Sequence, residues 1–241
     1  MRVSLNLGFN LKKKHNIIKE ACSEAIELLQ NGYSVGLGSG RTMAQTMKII
    51  AEKIERDKLN LAFVPSSYQI EFLARELGLR VIDLNSVQIL DLTIDGADQV
   101  ELGTLNMIKG GGAALTREKI IGSNSTKVAI IIDESKLTKK LGEGMYVPIE
   151  IFPFGINAVI NKIKQVGGTV TLRQGDGKVG PIITDNGNII VDANFGPIDD
   201  PISLESEIKK IPGVIEVGIF SGIADFVYVA MKDDVKILQR E

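Results

Sequence analysis

Strands alternating with helices through the first 133 residues, a change of rhythm near residue 146, and a last strand signal near the C-terminal end predict an α/β protein. The expected architecture is a Rossmann-like doubly wound parallel sheet with an inserted smaller α+β domain of the ferredoxin-like, split-βαβ kind. From residue 16 to 30 apolar residues recur at helical spacing, and Asn31-Gly32 stops the run. YSVGLGSGRT reads as a short apolar strand entering a Gly-rich turn, with a helix over residues 42–54 behind it. LAFVP is a second strand, SSYQIEFLAREL a helix with a serine cap, and LRVIDL a third strand. ILDLTIDGAD is a mostly apolar strand ending in acids, residues 113–123 a helix, and KVAIIID a strongly apolar strand.

Beyond Tyr146, VPIEIF is a strand and INAVINKIKQVGG a helix ending in glycines. TVTLRQ is a strand, and PIITDNGNIIVDA is two strand segments around a turn. TVTLRQ and PIIT are expected to form one interrupted strand, which makes the order β-α-β-β-α-β. DPISLESEIKKIPG is a helix with an acidic start and a basic end, as the helix dipole favours, and VIEVGIF is a strand. ADFVYVAMKDDVKILQ is expected as a strand then a helix returning to the first sheet. The expected division is therefore residues 1–146 plus 221–241 for the Rossmann-like domain and 147–220 for the insert.

Composition removes several function classes. The 241 residues are 44% hydrophobic and 24% charged, ordinary for a soluble globular protein, with a formal charge of −2. Such a chain has no general attraction to nucleic acid or anionic lipid, so any phosphate site must be built locally. Cys22 is the only cysteine, which excludes an internal disulfide and a cysteine-cluster metal site. His15 is the only histidine and lies in a basic N-terminal run, so acid–base work falls to Asp, Glu and Lys. The first residues lack the apolar stretch of a signal peptide, and no run approaches the roughly 18 apolar residues of a membrane span. The expected location is cytoplasmic, with no nucleic-acid or membrane partner.

Four segments carry residues suited to chemistry. Gly36-Leu37-Gly38-Ser39-Gly40-Arg41-Thr42 sits at a strand-to-helix turn, where backbone N–H groups and a helix start favour an anion. It lacks the Gly-Lys-Ser/Thr ending of a Walker loop and the glycine spacing of a dinucleotide fingerprint. Asp95-Gly96-Ala97-Asp98 ends a buried strand, where its acids could handle sugar hydroxyl protons, cap a turn, or hold Mg²⁺. Lys109-Gly110-Gly111-Gly112 precedes a helix, and Glu118, six residues past the last glycine, could sit over the same cleft. Arg117 and Lys119 point to other helix faces and are expected to be structural or solvated. Lys136 follows KVAIIID at the carboxyl edge of the sheet.

In order and spacing, GLGSGRT, DGADQVE, IKGGGAALTREKI and DESK resemble the ribose-5-phosphate isomerase A family, and the similarity continues through VPIEIFP, GPIITDNGNIIVDA and IPGVIEVGIF. The resemblance implies reversible conversion of D-ribose 5-phosphate to D-ribulose 5-phosphate, in the non-oxidative branch of the pentose phosphate pathway. It implies a small-molecule sugar phosphate as substrate, no cofactor, no metal, and a homodimer or homotetramer. The proton-accepting base falls on Glu118, with Asp95, Asp98 and Lys109 as further catalytic groups. Substrate contacts fall on Ser39, Gly40, Arg41, Thr42, Asp95, Gly96, Ala97, Asp98, Lys109, Gly110, Gly111, Gly112 and Lys136.

Departures from the family pattern lie in the phosphate loop and beside the acids. Arg41 stands where a small hydroxyl residue is usual, Ser39 where threonine is usual, and Gln99 replaces a common glutamate. An N-terminal lysine that often reaches the phosphate has Ile18 at its gapless position, with Lys19 adjacent. Either Arg41 takes over that charge or it obstructs the loop. The competing classes are an acyl-CoA transferase, an amino-sugar phosphate isomerase-deaminase, and a non-catalytic sugar-phosphate sensor. For the last, no room for a DNA-binding helix-turn-helix remains outside the two domains.

Overall fold

The structure, a computed structural model, describes residues 17–175, 177 and 179–240; His15 lies outside them. The first described element is helix α1 (residues 17–25). The chain continues through β1 (Ser34–Leu37), α2 (Gly40–Asp57), β2 (Ala62–Pro65), α3 (Tyr68–Glu76), β3 (Leu92–Gly96), β4 (Gln99–Glu101) and β5 (Met107–Ile108). Then follow α4 (Leu115–Ser123), β6 (Val128–Asp133), β7 (Leu137–Thr138), β8 (Val147–Ile151), α5 (Ile156–Gln165) and β9 (Thr169–Leu172). The last elements are β10 (Ile189–Asn194), α6 (Pro201–Lys209), β11 (Val214–Val217), β12 (Ile219–Phe220), β13 (Phe226–Ala230) and β14 (Val235–Gln239). No described helix is long and apolar enough to cross a membrane.

The main sheet has the order β14-β13-β6-β3-β1-β2. All of its pairings are parallel except the edge hairpin β13–β14. β3 and β6 are buried along nearly their whole length, which is why they read as continuous apolar runs rather than alternating ones. Val35, Leu37, Phe63 and Leu92 meet Met43, Met47 and Ile50 of α2 in one apolar core. Because β1 pairs with β2 on one side and β3 on the other, the topology switches direction between β1 and β3. A crevice opens at the carboxyl ends of strands at such a point.

The second sheet, β11-β8-β10-β9, is antiparallel throughout. With α5 and α6 it makes the β-α-β-β-α-β order of the ferredoxin-like arrangement, over a separate core that includes Val147, Ile149, Val159, Ile163 and Ile208. PIIT does not continue TVTLRQ. It runs back beside it through the antiparallel bridge Gln174–Pro181, and meets the start of β10 through Ile183–Ile189.

Two other expectations are corrected. LRVIDL makes a single parallel bridge, Phe63–Val81, rather than a full strand. Asp83 ends it by accepting the Asn85 N–H at 2.7 Å and pulling the chain into a short 3-10 turn. The segment after β13 is strand β14, not a helix. Met231 N–H donates to Asp234 O at 2.9 Å, closing a polar turn, and Val235 and Ile237 then favour extended backbone.

A third sheet, β12-β5-β4-β7, joins the other two and is built of strands too short to show in periodicity. VIEVGIF is accordingly split at Gly218 into β11 and β12. Gly218 N–H donates to Pro148 O at 2.7 Å and its carbonyl accepts from Lys109 N–H at 2.9 Å. A Cβ there would lie 2.5 Å from Lys109 O and 2.7 Å from Pro148 O. Both obstacles are backbone, which cannot rotate away. Gly218→Ala should therefore cost about 1–3 kcal/mol, the usual range for overpacking, seen as a lower urea midpoint at unchanged m-value.

Candidate active site

The three sheets place the carboxyl ends of β1 and β3, the start of α4 and the end of β6 around one cleft of about 670 Å³. Ser39, Gly40, Arg41, Thr42, Gly96, Ala97, Asp98, Lys109, Gly110, Gly111, Gly112, Glu118 and Lys136 all line it. Four segments separated by tens of residues are thus brought together. Asp95 is the exception among the predicted residues: it lies beneath the cleft wall, 2% exposed.

The floor is an ion cluster. Lys109 Nζ sits 2.9 Å from Asp95 Oδ2 and 3.2 Å from Glu118 Oε2, and donates to Gly96 O at 2.7 Å. Phe220 covers the ammonium, its ring centre 5.5 Å away. Close packing forces this neighbourhood, since a Cβ on Gly38 would stand 1.7 Å from Asp95 Oδ1. Asp95 also accepts its neighbour Gly96 N–H at 2.7 Å.

The electrostatics follow from burial and from three charges close together. Burial pushes the Glu118 carboxyl up to about 7, with Asp95 adding to the rise and Lys109 opposing it. Burial also raises Asp95 above the ordinary carboxylate range, against the pull of Lys109. Burial opposes the charge on Lys109, but Asp95 and Glu118 outweigh it and hold the ammonium protonated. Glu118 Oε2 is within ion-pair reach of Lys109 yet makes no hydrogen bond. A buried carboxyl with an unbonded oxygen and a pKa near neutrality is suited to accept a proton.

The walls are backbone and short side chains. Asp98 Oδ2 accepts Gly111 N–H at 2.7 Å, tying the DGAD turn to the glycine loop. From the ferredoxin-like side, Arg173 donates to Gly110 O at 2.8 Å and Gly111 O at 3.1 Å, while pairing with Asp192. Lys136 Nζ donates to Ala97 O at 2.5 Å, and burial lowers its pKa. At the other end, Ser39 caps no helical N–H with its side chain; its hydroxyl meets Ser66 and Ser67 at 2.7 and 2.8 Å. The start of α2 thus faces the cleft with its dipole end, and exposed Arg41 stands in the first turn.

Ile18 also lines the cleft, so the position expected for a lysine presents an apolar side chain there, while Lys19 is exposed and outside the lining. Gln45 and Asp133 are lining residues that the motifs do not single out. Their signals are faint: Gln45 is one helical turn beyond Arg41, and Asp133 ends β6, three residues before Lys136. Arg117 and Lys119 are structural rather than solvated. Arg117 stacks 4.9 Å over Tyr68 and donates to Asn186 and Asp185, while Lys119 is buried between Glu205 and Glu216.

A switch-point cleft with a helix start at one end and a buried carboxyl of raised pKa at the other has the form of an enzyme site. The sequence pattern of the family Ribose 5-phosphate isomerase A (phosphoriboisomerase A) matches residues 62–234. A ribose-5-phosphate isomerase A of Methanothermobacter thermautotrophicus is 42% identical over 93% of this chain and 98% of its own. One from Archaeoglobus fulgidus is 48% identical over 83% and 88%. Among solved structures, ribose 5-phosphate isomerase A of Methanocaldococcus jannaschii superposes with a TM-score of 0.90 at 40% identity, over 94% of this chain and 99% of that one. A D-ribose-5-phosphate isomerase in complex with phospho-erythronic acid does so with 0.91 at 43%, over the same shares. The chain belongs to the ribose 5-phosphate isomerase A family and is an isomerase.

The raised Glu118 has a stability consequence. Between the ordinary carboxylate range and about 7, the native state holds a proton that the unfolded chain has lost, so Glu118 costs stability as pH rises through that window. Relative to Glu118→Gln, the parent chain should therefore lose stability between pH 5 and pH 8, as read from urea midpoints of the two proteins at each pH.

Proposed function

We propose that this chain interconverts D-ribose 5-phosphate and D-ribulose 5-phosphate through an enediolate, with Glu118 carrying the proton between C2 and C1. The observation that carries the reading is the Glu118 carboxyl, buried at the cleft floor against Lys109 and pushed up to about 7. In the forward direction Glu118 takes the C2 proton of the open-chain aldose, and the released electron pair forms the C1–C2 double bond of the enediolate. Returning that proton to C1 while the O2 proton departs to O1 leaves the ketone. The oxyanion that develops is met by the Lys109 ammonium, already oriented by Asp95, so no reorganisation is needed as charge appears.

Asp98 is the acid placed to help open the furanose ring, because it lines the cleft while Asp95 is committed to Lys109. The phosphate is assigned to Ser39, Gly40, Arg41 and Thr42, which line the cleft at the start of α2, where a helix dipole end and a cationic side chain favour an anion. Gly110, Gly111, Gly112 and Lys136 complete the sugar's surroundings. The 43% identical structure holds phospho-erythronic acid, a phosphorylated aldonate, which supports a phosphorylated sugar as the substrate. Residues 147–220 are taken as the inserted domain, supported by a four-stranded antiparallel sheet and most of an apolar core that Ile108 and Leu141 join. A homodimer or homotetramer in the cytoplasm completes the proposal; Phe154, 93% exposed, is in keeping with a self-association surface.

Glu118→Gln keeps the side chain's size and removes its basicity. Loss of a positioned base costs on the order of 10²–10⁴ in rate, so kcat on ribose 5-phosphate should fall by at least about a hundredfold while binding of a phosphorylated aldonate persists. Near-native kcat in that variant would move the base elsewhere. Arg41→Ser should raise KM severalfold with kcat little changed, the mark of lost uniform binding; an unchanged KM would place Arg41 away from the phosphate.

A further inference from the structure

Glu118 Oε2 makes no hydrogen bond and meets Lys109 as an ion pair at 3.2 Å, a contact that sets distance more than direction. Its place is therefore set by the backbone of α4, and that helix begins without help of its own. Ala114, at the N-cap, caps nothing with its side chain, and Ala113 before it has φ 61°, a conformation that resists a β-carbon. What fixes the first turn comes from another sheet. Thr116 Oγ1 donates to Glu150 Oε2 at 2.5 Å, and Glu150 is a fully buried residue of β8.

The other oxygen of Glu150 is occupied as well. Its Oε1 accepts from Thr184 Oγ1 at 2.8 Å, Asn186 Nδ2 at 3.1 Å and Asn188 Nδ2 at 2.8 Å. With every bond accepted and none donated, the carboxyl has its orientation determined on both sides. A buried acid is a poor means of adding stability, because well-packed apolar residues of similar volume serve as well or better. It is a good means of fixing one hydroxyl in space. The bond it makes to α4 lies two residues from the base, in the same first turns of the helix.

We infer that Glu150 is a positioning residue for the isomerase reaction, acting through Thr116 to set α4 and hence the Glu118 carboxyl at the distance proton transfer needs. The inference rests on Glu118 being the base. The structure supplies the lever arm: a rotation of the helix start moves a side chain whose Oε2 is held by an ion pair and by no directional hydrogen bond. Misplacement by about 1 Å at a reacting group costs up to a hundredfold in rate.

The test is Thr116→Val, which keeps the shape and deletes the hydroxyl, beside Thr116→Ser, which restores it. The expected result for the valine variant is a kcat lower by about tenfold to a hundredfold, with KM for ribose 5-phosphate within about twofold. Its thermal midpoint should stay within a few degrees of the parent, and the serine variant should recover most of kcat. A valine variant with native kcat overturns the inference, and so does one whose KM rises in place of the fall in kcat. A valine variant that fails to fold while the serine variant folds shows the bond to be holding the fold itself, and overturns it too. Glu118→Gln made in parallel separates the two layers: if that variant stays active the base is wrong, whereas an inactive Glu118→Gln beside a fully active Thr116→Val sinks only the role of Glu150.

Discussion

The site depends on one buried cation. Lys109 is almost wholly withdrawn from water and stays charged because Asp95 and Glu118 stand within 3.2 Å of it. An ammonium in such a place has lost its hydration, and opposite charges offset that loss only if they are close and well oriented. Three structural details serve this requirement: Gly38 leaves room for Asp95, the Gly96 carbonyl takes a further ammonium proton, and Phe220 closes the face. The same cluster leaves the second carboxyl incompletely satisfied. Burial raises the proton affinity of both acids against the pull of Lys109, that of Glu118 to near neutrality. Two acids on one lysine thus differ in their contacts by a few tenths of an ångström and one hydrogen bond.

Much of this was legible in the sequence because it is carried locally. Each glycine-rich turn follows an apolar strand, and in a parallel sheet every such turn falls on the same edge, so GLGSGRT, DGAD and DESK had to converge. The β-α-β-β-α-β order also showed through, since its strands and helices are long enough to display their periods. What did not show was decided by tertiary context. The third sheet is built from strands of two or three residues, below the length at which alternation is visible. β14 was misread as a helix because its mixed residues fit either period, and the turn at Lys232, Asp233 and Asp234 was the better clue. The separate fates of Asp95 and Asp98 turn on which side of the Gly96 backbone each falls, and two acids three residues apart look alike in a sequence.

The ferredoxin-like part supports the chemistry without presenting a reacting group. Arg173 grips the carbonyls of Gly110 and Gly111, Glu150 holds α4 at Thr116 while Glu205 and Glu216 hold it at Lys119, and Asp185 takes the first N–H of α3 at 2.8 Å. Polar contacts of this kind are directional, and they fix orientation where apolar packing alone would leave a sliding surface. This also accounts for the buried state of Lys119 and the stacked state of Arg117. Charges expected at the surface are drawn inward where two sheets must be registered against each other.

Gly218 gives this arrangement its last property. At that residue the backbone of the antiparallel sheet, the short third sheet and the strand leading into Lys109 are joined by two hydrogen bonds on a single residue. The tie between the antiparallel sheet and the strand that delivers Lys109 is therefore a single residue, and a shift of either sheet at Gly218 is passed to the backbone that carries the ammonium.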